Sequence, residues 1–113
     1  MKQIQAIIRR EKLANVKQAL DSIKCPGMSV WEIVGHGKQK GVTEQFRGRV
    51  FKVDLLPKVK LEIVVHDSLV KTITDAIVKS ASTGKVGDGK IFVTPIEEAV
   101  RIRTAEKGES VVD

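Results

Sequence analysis

The chain has no tyrosine, a single cysteine and tryptophan, and only two histidines. One cysteine, Cys25, can form neither an internal disulfide nor a cysteine-rich metal cluster; this fits a reducing compartment and a small apolar filler near a turn. With two isolated histidines, no Cys-His pair and no carboxylate dyad, the groups that carry nucleophilic, acid-base or metal hydrolysis are not gathered anywhere, which argues against an enzyme such as a small phosphatase. Four aromatics are too few for the RNP pattern of an RNA-recognition sheet. Apolar runs such as Ile91-Phe92-Val93 stop far short of the about 18 residues that a membrane span needs, and the start MKQIQAII is too mixed for a signal peptide. The expectation is a soluble cytoplasmic chain. At 113 residues it makes one domain with little room for an enclosed site, so pockets between copies are expected.

Charge is plentiful but uneven. The formal net charge is +6, and between Gly37 and Lys60 stand seven bases (Lys38, Lys40, Arg47, Arg49, Lys52, Lys58, Lys60) against Glu44 and Asp54, a net of +5. Such a patch attracts anions: nucleic acid, phosphate ligands, small carboxylates, or an acidic or membrane-side partner.

Periodicity predicts strand, helix, strand, twice over. Lys2 to Arg9 reads as a strand buried mostly on both faces, and Leu13, Val16, Leu20 and Ile23 share one face of a helix from about Glu11 to Lys24, which Pro26-Gly27 ends. A strand at about Met28 to Val34 follows. Val59, Leu61, Ile63 and Val65 alternate strictly with Lys58, Lys60, Glu62 and Val64, the clearest strand in the chain. Asp67 is a candidate N-cap for a helix carrying Leu69, Ile73, Ala76, Ile77 and Ala81. A turn from Thr83 to Asp88 leads into a strand at Lys90 to Thr94; a last strand-like run spans Val100 to Thr104, and the tail from Lys107 reads as mobile. Two βαβ units of this size make an α+β ferredoxin-like sandwich, a four-stranded antiparallel sheet with both helices on one face. The other face, bearing Ile and Val, meets water or another copy.

Three segments exceed what a scaffold needs. Gly37 to Pro57 is 21 residues long, where connections are usually about 4–6, and it joins glycines and anion-binding side chains at its ends to Phe46-Arg47-Gly48-Arg49 at its tip, which favours function over a long exposed hairpin whose charges merely keep it soluble. Thr83-Gly84-Lys85-Val86-Gly87-Asp88-Gly89-Lys90 allows a backbone to approach phosphate closely, although it lacks the order of a Walker loop and equally reads as a helix C-cap followed by a glycine turn. Arg101-Ile102-Arg103 would place two guanidinium groups on one side of a strand, suited to a polyphosphate, although it equally reads as paired surface charges on an edge strand.

Taken together, VGHGKQKGVTEQFRGR (Val34 to Arg49), LLPKVKLEIVV (Leu55 to Val65), STGKVGDGKIFV (Ser82 to Val93) and VRIRT (Val100 to Thr104) resemble one family, the PII signal-transduction proteins of nitrogen metabolism, in order and spacing from Met1 to about Thr104. The resemblance implies a homotrimer of single-domain chains (1–113) with ATP or ADP in clefts between subunits, a T-loop at about 37–57, a B-loop at about 82–90 and a C-terminal segment at 95–113. It implies that Gly87, Asp88, Gly89 and Lys90 surround the phosphates and that Arg101 and Arg103 reach in from the adjacent subunit. Ile7, Gly35 and Val64 would wall the adenine side, Ser29 would contact the base, and Gly37 and Lys38 would lie along the nucleotide. His36 could touch the nucleotide or sense pH, a simple substitution being the favoured reading. Gln39 would coordinate Mg²⁺ with ATP phosphates and 2-oxoglutarate; Lys58 would pair with the distal carboxylate of 2-oxoglutarate, with Gly37, Gln39, Lys40 and Gly41 completing that pocket and Arg9 close by.

Phe46, Arg47, Gly48, Arg49 and Phe51 would meet the partner, an ammonium transporter first, which would make the protein peripherally membrane-associated. The alternatives are a soluble nitrogen-metabolism target (a nitrogenase-associated protein, glutamine synthetase or an amino-acid-pathway kinase) and, remotely, a basic RNA-binding module, although no nucleic acid partner is expected. Departures from the family pattern matter. Phe51 stands where many members carry a tyrosine that is uridylylated, and Arg49 where some carry a phosphorylated serine, which excludes both switches at those positions.

Overall fold

The computed structural model describes residues 1–36, 43–46, 49–52 and 55–112, the strands at 43–46 and 49–52 by their backbone alone. Its frame is β1 (Lys2–Arg9), α1 (Leu13–Ser22), β2 (Ser29–Gly35), β3 (Thr43–Phe46), β4 (Arg49–Lys52), β5 (Leu56–Val65), α2 (Val70–Ala81) and β6 (Gly89–Pro95). Four strands form one sheet in the order β2-β5-β1-β6, every neighbouring pair antiparallel. This is the expected ferredoxin-like α+β arrangement, and the short β3 and β4 pair separately, Phe46 opposite Arg49.

The core follows from period two meeting period 3.6. Ile4, Ala6 and Ile8 of β1 and Val59, Leu61, Ile63 and Val65 of β5 point to the helices, where Val16 and Leu20 of α1 and Ile73, Ile77 and Ala81 of α2 meet them; all are 5% exposed or less. The opposite face is mixed. Ile7, Ile33, Val64, Trp31 and Phe92 share it with Glu62, whose carboxylate accepts from Gln3 (3.2 Å) and Gln5 (3.3 Å) and lies 3.6 Å from Lys60. The Lys60 ammonium also sits 5.0 Å above the Trp31 ring, a cation-π contact.

Several boundaries differ from expectation for local reasons. The first helix begins at Leu13 after a 3₁₀ turn at Arg10–Lys12 and stops at Ser22, before Pro26. Lys24 takes a left-handed φ of 55°, with Cys25 N–H bonding to Leu20 O (3.0 Å) and Lys24 N–H to Asp21 O (3.1 Å), a Schellman closure that needs no proline. Cys25 packs against the core, as expected of an apolar filler, and burial pushes its thiol pKa up. Asp67 caps no helix: a 3₁₀ turn, Asp67–Leu69, precedes α2, and its carboxylate takes the Met1 amino group (2.9 Å) and Lys2 (3.2 Å) instead. β5 starts at Leu56, so the last two residues of the expected 37–57 connection belong to the sheet. Pro57 is paired only with β2 there, beyond the end of β1, where a residue without an N–H is tolerated.

The largest correction is at the C-terminal end. Val100 to Thr104 is a turn, not a strand, joined by a single bridge between Val100 and Lys107. With no neighbouring strand among the described residues, its backbone bonds to itself: Arg101 N–H to Glu106 O (2.9 Å) and Ala105 N–H to Arg101 O (2.8 Å). The tail is not loose either. Gly108 N–H bonds to Ala99 O, Glu109–Val112 forms a 3₁₀ turn, and Val112 is buried.

Candidate functional site

The segment after α2 is sewn into a defined turn by one carboxylate. Asp88 accepts from Thr83 N–H (2.8 Å), Gly84 N–H (2.9 Å), the Thr83 hydroxyl and Arg9 Nε (2.9 Å). The Thr83 hydroxyl and then the Arg9 guanidinium hold its carboxyl well below the usual carboxylate range. Arg9 donates a second bond to Val86 O at 2.8 Å. Gly89 closes the turn at a φ of 108°, and a Cβ there would lie 1.7 Å from the carbonyl oxygen of Ile7, so only glycine lets β6 dock on β1.

Lys58 comes to the same turn from β5. Its ammonium donates to Gly87 O at 2.7 Å, and its side chain is nearly buried. Burial, and then the charge of Arg9, pull its pKa down; Glu11 and Asp88 oppose that. Its ammonium and the glycine turn stand side by side on the cleft, a setting that suits an anion.

These groups open onto a cleft of about 550 Å³. Ile7, Ile33, Val34, Leu56, Val86 and Phe92 give it an apolar side, while Lys58, Lys90, Gly87 and Gly89 give it a cationic and backbone-lined side, with Gly35 and exposed His36 at its edge. A ligand with a flat apolar part and an anionic tail matches that division. Of the candidate residues, Ile7, Gly35, His36, Lys58, Gly87, Gly89 and Lys90 are therefore brought together, with Arg9 and Asp88 bracing the turn.

Ser29 and Val64 are not in this cleft. They line a second one of about 310 Å³ with Gln3, Pro26, Gly27, Glu62, Val111 and Val112. Arg101 sits on its own turn, its guanidinium 3.1 Å from Glu106, and Arg103, expected beside it on a strand, sits on the same turn. Gly37, Lys38, Gln39, Lys40, Gly41, Arg47 and Gly48 lie outside the described residues, as do the side chains of Phe46, Arg49 and Phe51. Among the described residues no cluster of His, Cys, Asp and Glu could hold a metal ion.

Sequence reasoning missed Ile33, Val34, Leu56, Val86 and Phe92. The signal for two of them was the period of two, since Ile33 precedes Gly35 and Phe92 follows Lys90 by two residues on the open face.

Comparison with known proteins follows this geometry. The family model "Nitrogen regulatory protein P-II" matches residues 1–106. The Nitrogen regulatory protein P-II 2 of Methanothermobacter thermautotrophicus is 56% identical over 112 residues, 99% of this chain and 97% of that protein. The P-II proteins of Azospirillum brasilense (54%) and Escherichia coli (P-II 1, 50%) align over 99% of this chain and their own full lengths. The family match contains the glycine turn and most of the arginine turn, and stops short of Val111 and Val112.

Proposed function

The chain belongs to the nitrogen regulatory protein P-II family and is a signal-transduction regulator of nitrogen metabolism; from that premise we propose that it works as a homotrimer which senses ATP or ADP together with 2-oxoglutarate and acts on its partner through residues 37–57. The observation that carries this reading is the larger cleft, where an apolar wall meets a glycine turn and two lysines. The second cleft supports the trimer: Ser29 and Val64, expected on the base side, lie apart from Ile7 and Gly35 within one chain, and a neighbouring copy supplies them.

In this scheme Gly87 and Gly89 let the backbone approach the phosphates, Lys90 adds a point charge, and Arg101 and Arg103 come from the adjacent copy. Asp88 holds the turn in shape. Lys58 pairs with the distal carboxylate of 2-oxoglutarate, with Arg9, Gly37, Lys40 and Gly41 around that pocket. Gln39 would be the protein's ligand to Mg²⁺, which would supply counter-charge to the phosphates and the keto acid; Mg²⁺ keeps few protein ligands, so one amide oxygen would be a fitting contribution. The binding residues flank the segment that carries Arg47, so ligand occupancy selects among its conformations and a partner reads the result. Phe51 cannot be uridylylated, which leaves ligand as the control at that position.

No catalytic role is assigned: nucleotide and keto acid act as effectors. The partner we propose is an ammonium transporter, engaged by Arg47 in the ADP state at low 2-oxoglutarate, so that a cytoplasmic protein becomes peripherally membrane-associated.

Calorimetry tests the sensing: 2-oxoglutarate should bind only with Mg²⁺ and ATP, and Gln39→Ala should abolish it, whereas equal binding in ADP or without metal contradicts the scheme. Vesicles carrying the cognate transporter should retain the protein in ADP and release it in Mg-ATP with 2-oxoglutarate. Capture of a soluble enzyme, with empty vesicle fractions, replaces the transporter by a soluble target.

A further inference from the structure

Arg101 is already occupied. Its Nη1 lies 3.1 Å from Glu106 Oε1, and Nη2 donates weakly to Ser110 O at 3.4 Å. The turn that carries both residues is closed independently of that ion pair, by the Arg101 N–H to Glu106 O bond, the Ala105 N–H to Arg101 O bond and the Val100–Lys107 bridge. The side chains are half-exposed, 34% for Arg101 and 48% for Glu106, so either can leave the other without opening a buried hole. Two residues on, Arg103 has no ion pair among the described residues.

We infer that Glu106 is a built-in counter-anion for Arg101: it parks the guanidinium on its own turn and must be displaced before Arg101 can grip a nucleotide phosphate. The inference rests on the phosphate role proposed above for Arg101. A carboxylate and a phosphate seek the same planar N–H edge, so each excludes the other there. A site whose arginine is free only part of the time binds more weakly by that fraction. Glu106 thus lowers the affinity for nucleotide, and it does so without touching the nucleotide.

The opposite role, in which Glu106 orients Arg101 for the phosphate, predicts the opposite sign. Titration of the full-length protein with Mg-ATP by calorimetry separates the two. Glu106→Gln should bind about two- to fivefold more tightly, the range an exposed ion pair is worth. The gain should shrink in high salt, which screens the competing pair, and should vanish when Arg101→Gln is added. Unfolding curves of Glu106→Gln should match the wild type, since the backbone bonds hold the turn.

Unchanged or weaker binding by Glu106→Gln overturns the inference, as does a gain that persists in the Arg101→Gln background. Arg101→Gln binding as tightly as wild type also overturns it, by removing the phosphate role. A wild-type protein that binds no ATP at all brings down the proposed function itself, which is a separate result.

Discussion

The two faces of β5 are built from one alternating run and have opposite characters. Val59, Leu61, Ile63 and Val65 are 1% exposed or less under the helices, while Lys58, Lys60, Glu62 and Val64 look the other way. On the helix side the two central strands are sealed within one chain, while Val30 and Val93 of the edge strands, facing the same way, stay 42% and 41% exposed. On the open side, apolar Ile7, Ile33, Val64 and Phe92 stand among polar groups that have found internal acceptors, Lys58 on Gly87 O, Lys60 and two glutamine amides on Glu62. The buried core thus lies under the centre of one face, and the larger cleft opens on the other. The predictions below set one face against the other.

Leu61→Ala, on the sealed face, should be the most destabilising of these changes, about 2–5 kcal/mol by urea unfolding, because Leu61 is fully buried and leaves a cavity. A loss under about 1 kcal/mol would mean that the core can collapse around the gap. Gly89→Ala should come next, costing more than the about 1–2 kcal/mol of left-handed backbone strain, because the added methyl also meets the Ile7 carbonyl. It should loosen the β1–β6 pairing, seen as faster amide exchange in β6.

The same contrast explains what the sequence revealed. β1 and β5 were legible because one of their faces is sealed, and a sealed face writes a strict period of two or a continuous apolar run. Val100, Ile102 and Thr104 show the same alternation, yet they form a turn: alternation says which side chains share a face and cannot say whether a strand edge waits beside them. The glycine turn was legible as a ligand-like segment, but Asp88 as its organiser was not, since Arg9 reaches it across 79 positions of sequence. The split of Ser29 and Val64 from Ile7 depends on sheet register, which residue types alone do not carry. Lys24 as a left-handed helix stop was hidden because glycine is the usual residue there and Pro26-Gly27 stood two residues on.

Asp88→Asn should have a smaller effect, and one that depends on pH. The Asp88 carboxyl is depressed in the folded protein, so its contribution is present above the ordinary carboxylate pKa of about 4 and fades as pH falls below that value. Wild type should therefore lose stability between about pH 4 and 2 through this group, while Asp88→Asn should start lower at neutral pH and show a flatter acid limb. Urea midpoints measured across that range check the sign. Parallel acid limbs for the two proteins would show that the carboxylate is not what holds the turn.

The smallest effect on the fold, and the sharpest test of the arginine turn, belongs to Ile102. It is 100% exposed between Arg101 and Arg103 on a turn stabilised by its own backbone. Within a single chain its side chain has no contact to lose, so Ile102→Ser should leave chain stability within about 0.5 kcal/mol of wild type. If a second copy covers this turn, the same side chain is buried on assembly, and its loss removes apolar area from that contact alone. Sedimentation at falling protein concentration should then show Ile102→Ser dissociating toward monomer at concentrations where wild type keeps the proposed trimer, with Mg-ATP restoring part of the assembly by mass action. Identical sedimentation of the two proteins would place Ile102 in solvent even in the assembled protein. A drop in the stability of dilute, dissociated chain would instead reveal a contact within the monomer and tie this turn to the finished half of the molecule.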